Sequence, residues 1–124
     1  MVRTESVCQK DSQDLTPQDV SQLTKLCLEA AESRIIITHG TDTILKQAET
    51  LATALKAVPK IVVLTGSMRP AKMRDSDADF NLGMAFSATQ ITEKAGVYVA
   101  IQGQIAEWSQ FRRDTESGAF YVKK

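Results

Sequence analysis

Three short runs of nearly unbroken apolar, mostly β-branched residues constrain this chain most: Arg34-Ile35-Ile36-Ile37-Thr38, Ile61-Val62-Val63-Leu64-Thr65 and Val97-Tyr98-Val99-Ala100-Ile101. A strand with one solvated face alternates apolar and polar side chains, whereas a run without alternation has to be covered on both faces. The segments between the runs have helical spacing. From Asp42, the residues Ile44, Leu45, Ala48, Leu51, Ala52 and Leu55 recur on one side until the chain meets Pro59. From Ala78 to Thr92, Phe80, Leu82, Met84, Ala85, Phe86 and Ile91 fill a second helix. A further helix is expected ahead of the first run, from Pro17 to Ser33, where Thr16 can cap, proline suits the first helical position and Asp19 puts a carboxylate in the first turn. Helices alternating with fully apolar strands predict an α/β fold: a doubly wound, mainly parallel sheet with helices on both faces and right-handed crossovers.

With 124 residues and about 100 to 200 residues per domain, the chain has room for one domain. No repeat, low-complexity stretch or linker divides it, so residues 1–124 read as a single α/β domain. Fifteen Lys and Arg balance fifteen Asp and Glu, which leaves no electrostatic footprint for nucleic acid or an anionic membrane. No apolar run approaches the roughly 18 to 20 residues of a membrane span, and Met1 to Lys10 lacks a signal-peptide core, so the expected location is cytoplasmic. Cys8 and Cys27 have no metal-site spacing; Cys27 shares a helical face with Val20, Leu23 and Ala30 and reads as a buried thiol. From Gln102 to Lys124 no period is clear, and Trp108, Phe111, Phe120 and Tyr121 are expected to pack on the sheet or on a partner. The helix-first order leaves a thin sheet, which suggests a missing preceding strand or a subunit neighbour, and the expected assembly is a homo-oligomer.

In open α/β sheets, ligands bind outside the carboxyl ends of the strands. The first run ends in Thr38-His39-Gly40-Thr41-Asp42-Thr43, the second in Thr65-Gly66-Ser67-Met68-Arg69-Pro70, the third in Gln102-Gly103. Thr41 or Asp42 would serve as an N-cap for the following helix. The same helix start also favours a ligand carboxylate, while the Asp42 side chain suits an ammonium, so together they fit a zwitterionic amino acid. His39, the one histidine, is either a base or a hydrogen-bonding turn residue. Arg69, Lys72 and Arg74 followed by Asp75, Asp77 and Asp79 read as a mixed-charge loop in which Asp77 caps the next helix.

Ile37-Thr38-His39-Gly40-Thr41-Asp42-Thr43 resembles a signature of the bacterial-type L-asparaginase/glutaminase family. The likeness continues through Val63-Leu64-Thr65-Gly66-Ser67-Met68-Arg69-Pro70, Asp75-Ser76-Asp77-Ala78, Phe80-Asn81-Leu82 and Gly96-Val97-Tyr98-Val99-Ala100. Upstream, Lys10-Asp11-Ser12-Gln13-Asp14 is similar to the family's substrate loop, so the resemblance covers residues 8 to 120 in order. It points to short single-domain asparaginase-like proteins or to the amino-terminal domain of the two-domain enzymes, truncated at its start.

That resemblance implies hydrolysis of the side-chain amide of asparagine, or glutamine, to the acid and ammonia, with no metal or organic cofactor. By position, Thr41 resembles a catalytic threonine and Asp42 the carboxylate that contacts the substrate ammonium. Ser12 and Gln13 resemble the loop holding the α-carboxylate, and the Ser67 backbone would lie beside the amide. The partners implied are asparagine and aspartate.

Two departures bear on catalysis. The family's other threonine lies in a Gly-Gly-Thr motif, yet the glycines here, Gly40, Gly66, Gly83, Gly96, Gly103 and Gly118, are never adjacent. The position of the family's catalytic lysine matches Arg113, in Phe111-Arg112-Arg113-Asp114. With a pKa above about 12, guanidinium does not give up its proton. Arg113 can hold a carboxylate or orient Thr41, or it can pair at the surface with Asp114 or Glu116. The expectation is an asparaginase-like amidohydrolase domain impaired in these 124 residues, the alternative being a non-catalytic amino-acid-binding or assembly module.

Overall fold

A computed structural model describes residues 2–7, 12–70 and 72–123, so Cys8, Lys10 and Asp11 lie outside the described residues. After a single 3-10 turn at Ser12–Asp14 comes helix α1 (Pro17–Glu29). The expected start is met by a capping box: the Thr16 hydroxyl accepts from Asp19 N at 3.1 Å, and the Asp19 carboxylate accepts from Thr16 N at 3.0 Å. The helix stops short of Ser33 because a remote cation terminates it. Lys60 Nζ donates to the carbonyls of Cys27, Leu28 and Ala30 at 2.6, 3.2 and 2.6 Å, a charged cap on groups that otherwise lack partners.

The three apolar runs form β1 (Arg34–Thr38), β2 (Ile61–Thr65) and β3 (Gly96–Ile101), paired in parallel in that order. Helices α2 (Ile44–Ala54) and α3 (Ala78–Ile91) connect them, and β4 (Gln104–Glu107) adds an antiparallel edge to β3. The β3–β4 turn has φ of 51° at Gln102 and 76° at Gly103, the paired positive values that a tight two-residue hairpin requires.

Each strand contributes to two cores. Ile37, Val62, Leu64, Val97, Val99 and Ile101 pack with Cys27 of α1 and with Ile44, Ala48, Leu51 and Leu55 of α2 and its end. On the opposite face, Ile61, Val63 and Ala100 pack with Ala85 and Ala88 of α3. The strand order advances in one direction while α2 and α3 lie on opposite faces, so the β1–α2–β2 and β2–α3–β3 crossovers have opposite hands. One of them is therefore left-handed, against the usual rule and against the expectation of right-handed crossovers.

The segment without a clear period folds as a 3-10 turn (Trp108–Gln110) and a hairpin of β5 (Phe111–Arg113) and β6 (Phe120–Val122). Two side-chain amides join this hairpin to the main sheet. Gln102 Oε1 accepts from Phe120 N at 2.7 Å, and Gln104 donates to Phe120 O at 2.8 Å and accepts from Val122 N at 3.1 Å. Phe111 and Phe120 enter the larger core and Trp108 packs against it, as expected, whereas Tyr121 is exposed.

Candidate functional site

Because the segments after β1 and β2 depart to opposite faces, a crevice opens between them at the carboxyl ends of these strands, the arrangement that makes a ligand site in open α/β sheets. The two segments nearly touch at its floor. His39 N donates to Thr65 O at 2.8 Å, and a Cβ at Gly66 would stand 2.3 Å from the His39 carbonyl oxygen and 3.5 Å from Thr41 Cγ2. Only glycine permits that approach, and Ser67 follows it directly at the crevice.

Thr41 and Asp42 sit in the turn ahead of α2. Thr43 is the residue that flanks the helix, and its side chain makes no capping bond, so Thr41 and Asp42 are not N-caps. Instead their turn is braced from the 3-10 segment. The buried Ser12 accepts through Oγ from Thr43 N at 3.2 Å and through its carbonyl from Thr43 Oγ1 at 3.3 Å. Its own hydroxyl proton is still available to a ligand. Gln13 Nε2 donates to Asp42 Oδ2 at 2.8 Å. From the other side, the β5–β6 hairpin delivers Arg113, which donates through Nη1 to the Thr41 carbonyl at 2.9 Å and lies 3.6 Å from Asp42 Oδ1. Arg113 Nε donates to Gly118 O at 2.9 Å, and the guanidinium lies over the Phe120 ring, 4.7 Å from its centroid. Arg113 thus takes neither of the surface partners considered from sequence, since Asp114 accepts from Ser117 and the Glu116 amide. Ser12, Gln13, Thr41, Asp42 and Arg113 meet in one place, with the Asp42 side chain half exposed.

His39 is engaged differently. Its Nδ1 pairs with the Gly40 carbonyl at 2.8 Å, which assigns the proton to Nδ1 in the neutral ring. Burial pushes its pKa down, against smaller upward pulls from Gly40 and the neighbouring Gln47 side chain. Neither His39 Nε2 nor the deeply buried Gln47 Nε2 reaches a hydrogen-bond partner among the described residues.

Two positioning residues carried no assigned ligand role in the sequence. Asn81 is fully buried on α3. Its amide donates to Gly66 O at 2.8 Å and to Asp77 Oδ2 at 2.9 Å, and its Oδ1 accepts from Gln102 N at 3.2 Å, so one side chain ties the ends of β2 and β3. The signal was an amide at the i position of an i, i+4, i+7 buried face with Ala85 and Ala88. Asp77 does not cap α3 as expected. It accepts from Met68 N at 2.9 Å and from Arg69 N at 3.1 Å, closing the mixed-charge loop, in which Arg69 also pairs with Asp75. Burial works against the Asp77 charge, but these amides and Asn81 outweigh it and hold the carboxyl below its ordinary value.

The family model described as "Asparaginase, N-terminal" matches residues 1–119. The chain belongs to the asparaginase family. It is 34% identical over 106 residues to an L-asparaginase of Thermococcus kodakarensis, covering 84% of this chain and 32% of that protein. A glutaminase-asparaginase of Pseudomonas fluorescens is 32% identical over 110 residues, 84% of this chain and 30% of that one. A glutamyl-tRNA(Gln) amidotransferase component of Aeropyrum pernix is 37% identical over 81 residues, 64% of this chain and 19% of the relative. The crystal structure of a probable cytoplasmic L-asparaginase from Campylobacter jejuni superposes with a TM-score of 0.78 at 29% identity, covering 95% of this chain and 38% of that one. This asparaginase-family chain therefore spans about a third of the length of the relatives it matches. No helix among its described residues is long and apolar enough to cross a membrane.

Proposed function

We propose that the cluster of Ser12, Gln13, Thr41, Asp42, the Ser67 backbone and Arg113 is the amino-acid-binding part of an asparaginase-type amidohydrolase site. The observation that carries this reading is the Asp42 carboxylate, half exposed in the crevice and held by Gln13 on one oxygen with Arg113 near the other. An ammonium placed there meets its counter-charge, and the groups assigned to the carboxylate and amide ends of asparagine or aspartate are the Ser12 hydroxyl, bonded to the Thr43 amide, and the Ser67 backbone, which follows Gly66. Arg113 acts as a positioning residue. Its bond goes to the Thr41 carbonyl, not to the hydroxyl, and a guanidinium is no base.

The reaction the family performs, hydrolysis of a side-chain amide to a carboxylate and ammonia, needs an activated nucleophile. In these 124 residues Thr41 has the site around it but no proton acceptor matched to it, and no Gly-Gly-Thr segment is present. The 124-residue chain is accordingly read as binding amino acid with impaired turnover. A non-catalytic binding or assembly module is the second reading, favoured by the same engagement of Arg113. Exposed Phe80 and Ile91 on α3 support self-association in either case.

The test pairs calorimetric binding of aspartate with an ammonia-release assay on asparagine. Binding without ammonia above the blank is expected. Ammonia release that disappears in Thr41→Ala would show that Thr41 works unaided and would remove the impairment from the account.

A further inference from the structure

Gln102 holds a conformation that its side chain does not favour. At the β3–β4 turn its φ is 51°, and no other non-glycine residue among those described has a positive value. A Cβ makes that region uncommon, and glycine or asparagine would sit there with less strain. The tight hairpin requires the conformation but not a long amide. What glutamine adds is reach. Its Oε1 accepts from Phe120 N at 2.7 Å, while its own backbone N donates to Asn81 Oδ1 at 3.2 Å.

Phe120 is the position that pairs with Arg113 across the β5–β6 hairpin. Its amide goes to Gln102 and its carbonyl accepts from Gln104 Nε2 at 2.8 Å, so glutamine side chains of the β3–β4 hairpin hold both backbone groups. The Phe120 ring in turn lies 4.7 Å from the Arg113 guanidinium, which reaches Thr41 O at 2.9 Å and stands 3.6 Å from Asp42 Oδ1. On the other side of Gln102, the Asn81 amide donates to Gly66 O at 2.8 Å, one residue ahead of Ser67. One unbroken series of contacts therefore runs from Gly66 through Asn81, Gln102, Phe120 and Arg113 to Asp42. It begins at one wall of the crevice and ends at the other.

We propose that Gln102 is a positioning residue for amino-acid recognition: by clasping Phe120 to Asn81 it sets Arg113 against Thr41 and Asp42, and so fixes the carboxylate that meets the ligand ammonium. This role rests on the amino-acid reading of the crevice. Gln104 does not replace it, because its side chain bonds to Phe120 O and Val122 N, both on β6, and ties the hairpin to β4 without linking it to Asn81. A hydrogen bond weakens steeply as its length and angle are lost, so a hairpin free to rock takes the Arg113 bond to Thr41 with it. Affinity then falls by the fraction of molecules in which the turn is set.

Three variants separate the clasp from the turn. Gln102→Gly removes the side chain while suiting the positive φ. Gln102→Asn, which tolerates the same φ but is one methylene shorter, serves should the glycine variant fail to fold. Gln102→Glu keeps both the reach and an acceptor oxygen. The first measurement needs no ligand: Arg113 Nε donates to Gly118 O, and hydrogen exchange at Nε, followed by NMR, is expected to speed up by about tenfold or more in Gln102→Gly and to stay near native in Gln102→Glu. The second is calorimetric binding of aspartate, expected to weaken about fivefold or more in Gln102→Gly, to stay near native in Gln102→Glu, and to fall no further when Gln102→Gly is added to Arg113→Met, since both act through one group. Unchanged exchange at Arg113 in the glycine variant would overturn the clasp. Faster exchange with unchanged affinity, or a full further loss in the Arg113→Met background, would overturn its role in recognition. A native chain that binds no aspartate would overturn the amino-acid reading and the recognition role with it, and the exchange measurement would still decide whether Gln102 sets Arg113.

Discussion

At the scale of single residues, the molecule depends on polar side chains that reach across the chain. His39 gives the sharpest prediction. Its folded pKa lies below the ordinary 6.5 because the ring is buried. The unfolded chain then binds more protons as acid is added, so the stability contributed by neutral His39 is complete above about pH 6.5 and is lost as pH falls toward the lowered folded value. Glu32, at about 2, and the depressed Asp77 and Asp114 titrate lower down. Thermal melts between about pH 7 and pH 5.5 should therefore show a fall in Tm that is smaller in His39→Gln; an unchanged slope would mean that the ring binds its proton equally well in the folded and unfolded states. Legibility at this scale follows sequence distance. The Thr16–Asp19 capping box is local and can be read directly, and Thr41 and Asp42 stand out because several hydroxyls, a glycine and a carboxylate crowd one strand end. Asp77 reads as a cap because it precedes a helix, but its partners are the amides of Met68 and Arg69 in the preceding loop, which no local rule names.

At the scale of elements, the runs Arg34–Thr38 and Ile61–Thr65 become strands with the expected bounds, since fully apolar runs have one way to be buried twice. Helix ends are less legible because two of them are set by remote cations. Arg34 donates to the carbonyls of Thr89 and Thr92 at 2.8 and 3.1 Å, closing α3, just as Lys60 closes α1. Lys60→Met keeps the aliphatic stem and removes the cap, so it should cost about 1–2 kcal/mol, read as a lower urea midpoint with unchanged m; an unchanged midpoint would show that solvent replaces the ammonium without loss. The short strands β4, β5 and β6 are not legible in the sequence because each is brief and half exposed, so no period builds up. Their pairing is decided by the amides of Gln102 and Gln104, whose partners are a hairpin away.

At the scale of the whole molecule, the hand of the crossovers is the expectation that fails, and the failure shapes the site. Opposite hands send the β1 and β2 ends apart and open the crevice, while the β5–β6 hairpin folds back to place Arg113 beside Thr41 and Asp42. A nucleophile and its base act as a unit, so their effects on rate are strongly non-additive. Adding a family-type amino-terminal strand with its Gly-Gly-Thr loop together with Arg113→Lys should therefore raise ammonia release far more than either change alone. If the strand alone restores full turnover, Arg113 is structural. The central claim, that the crevice recognises an amino acid through Asp42, is tested most directly by titrating aspartate calorimetrically into the native chain and into Asp42→Ala. The account predicts measurable binding by the first and none by the second, because the only counter-charge proposed for the ammonium is gone; equal affinity in the two would contradict it.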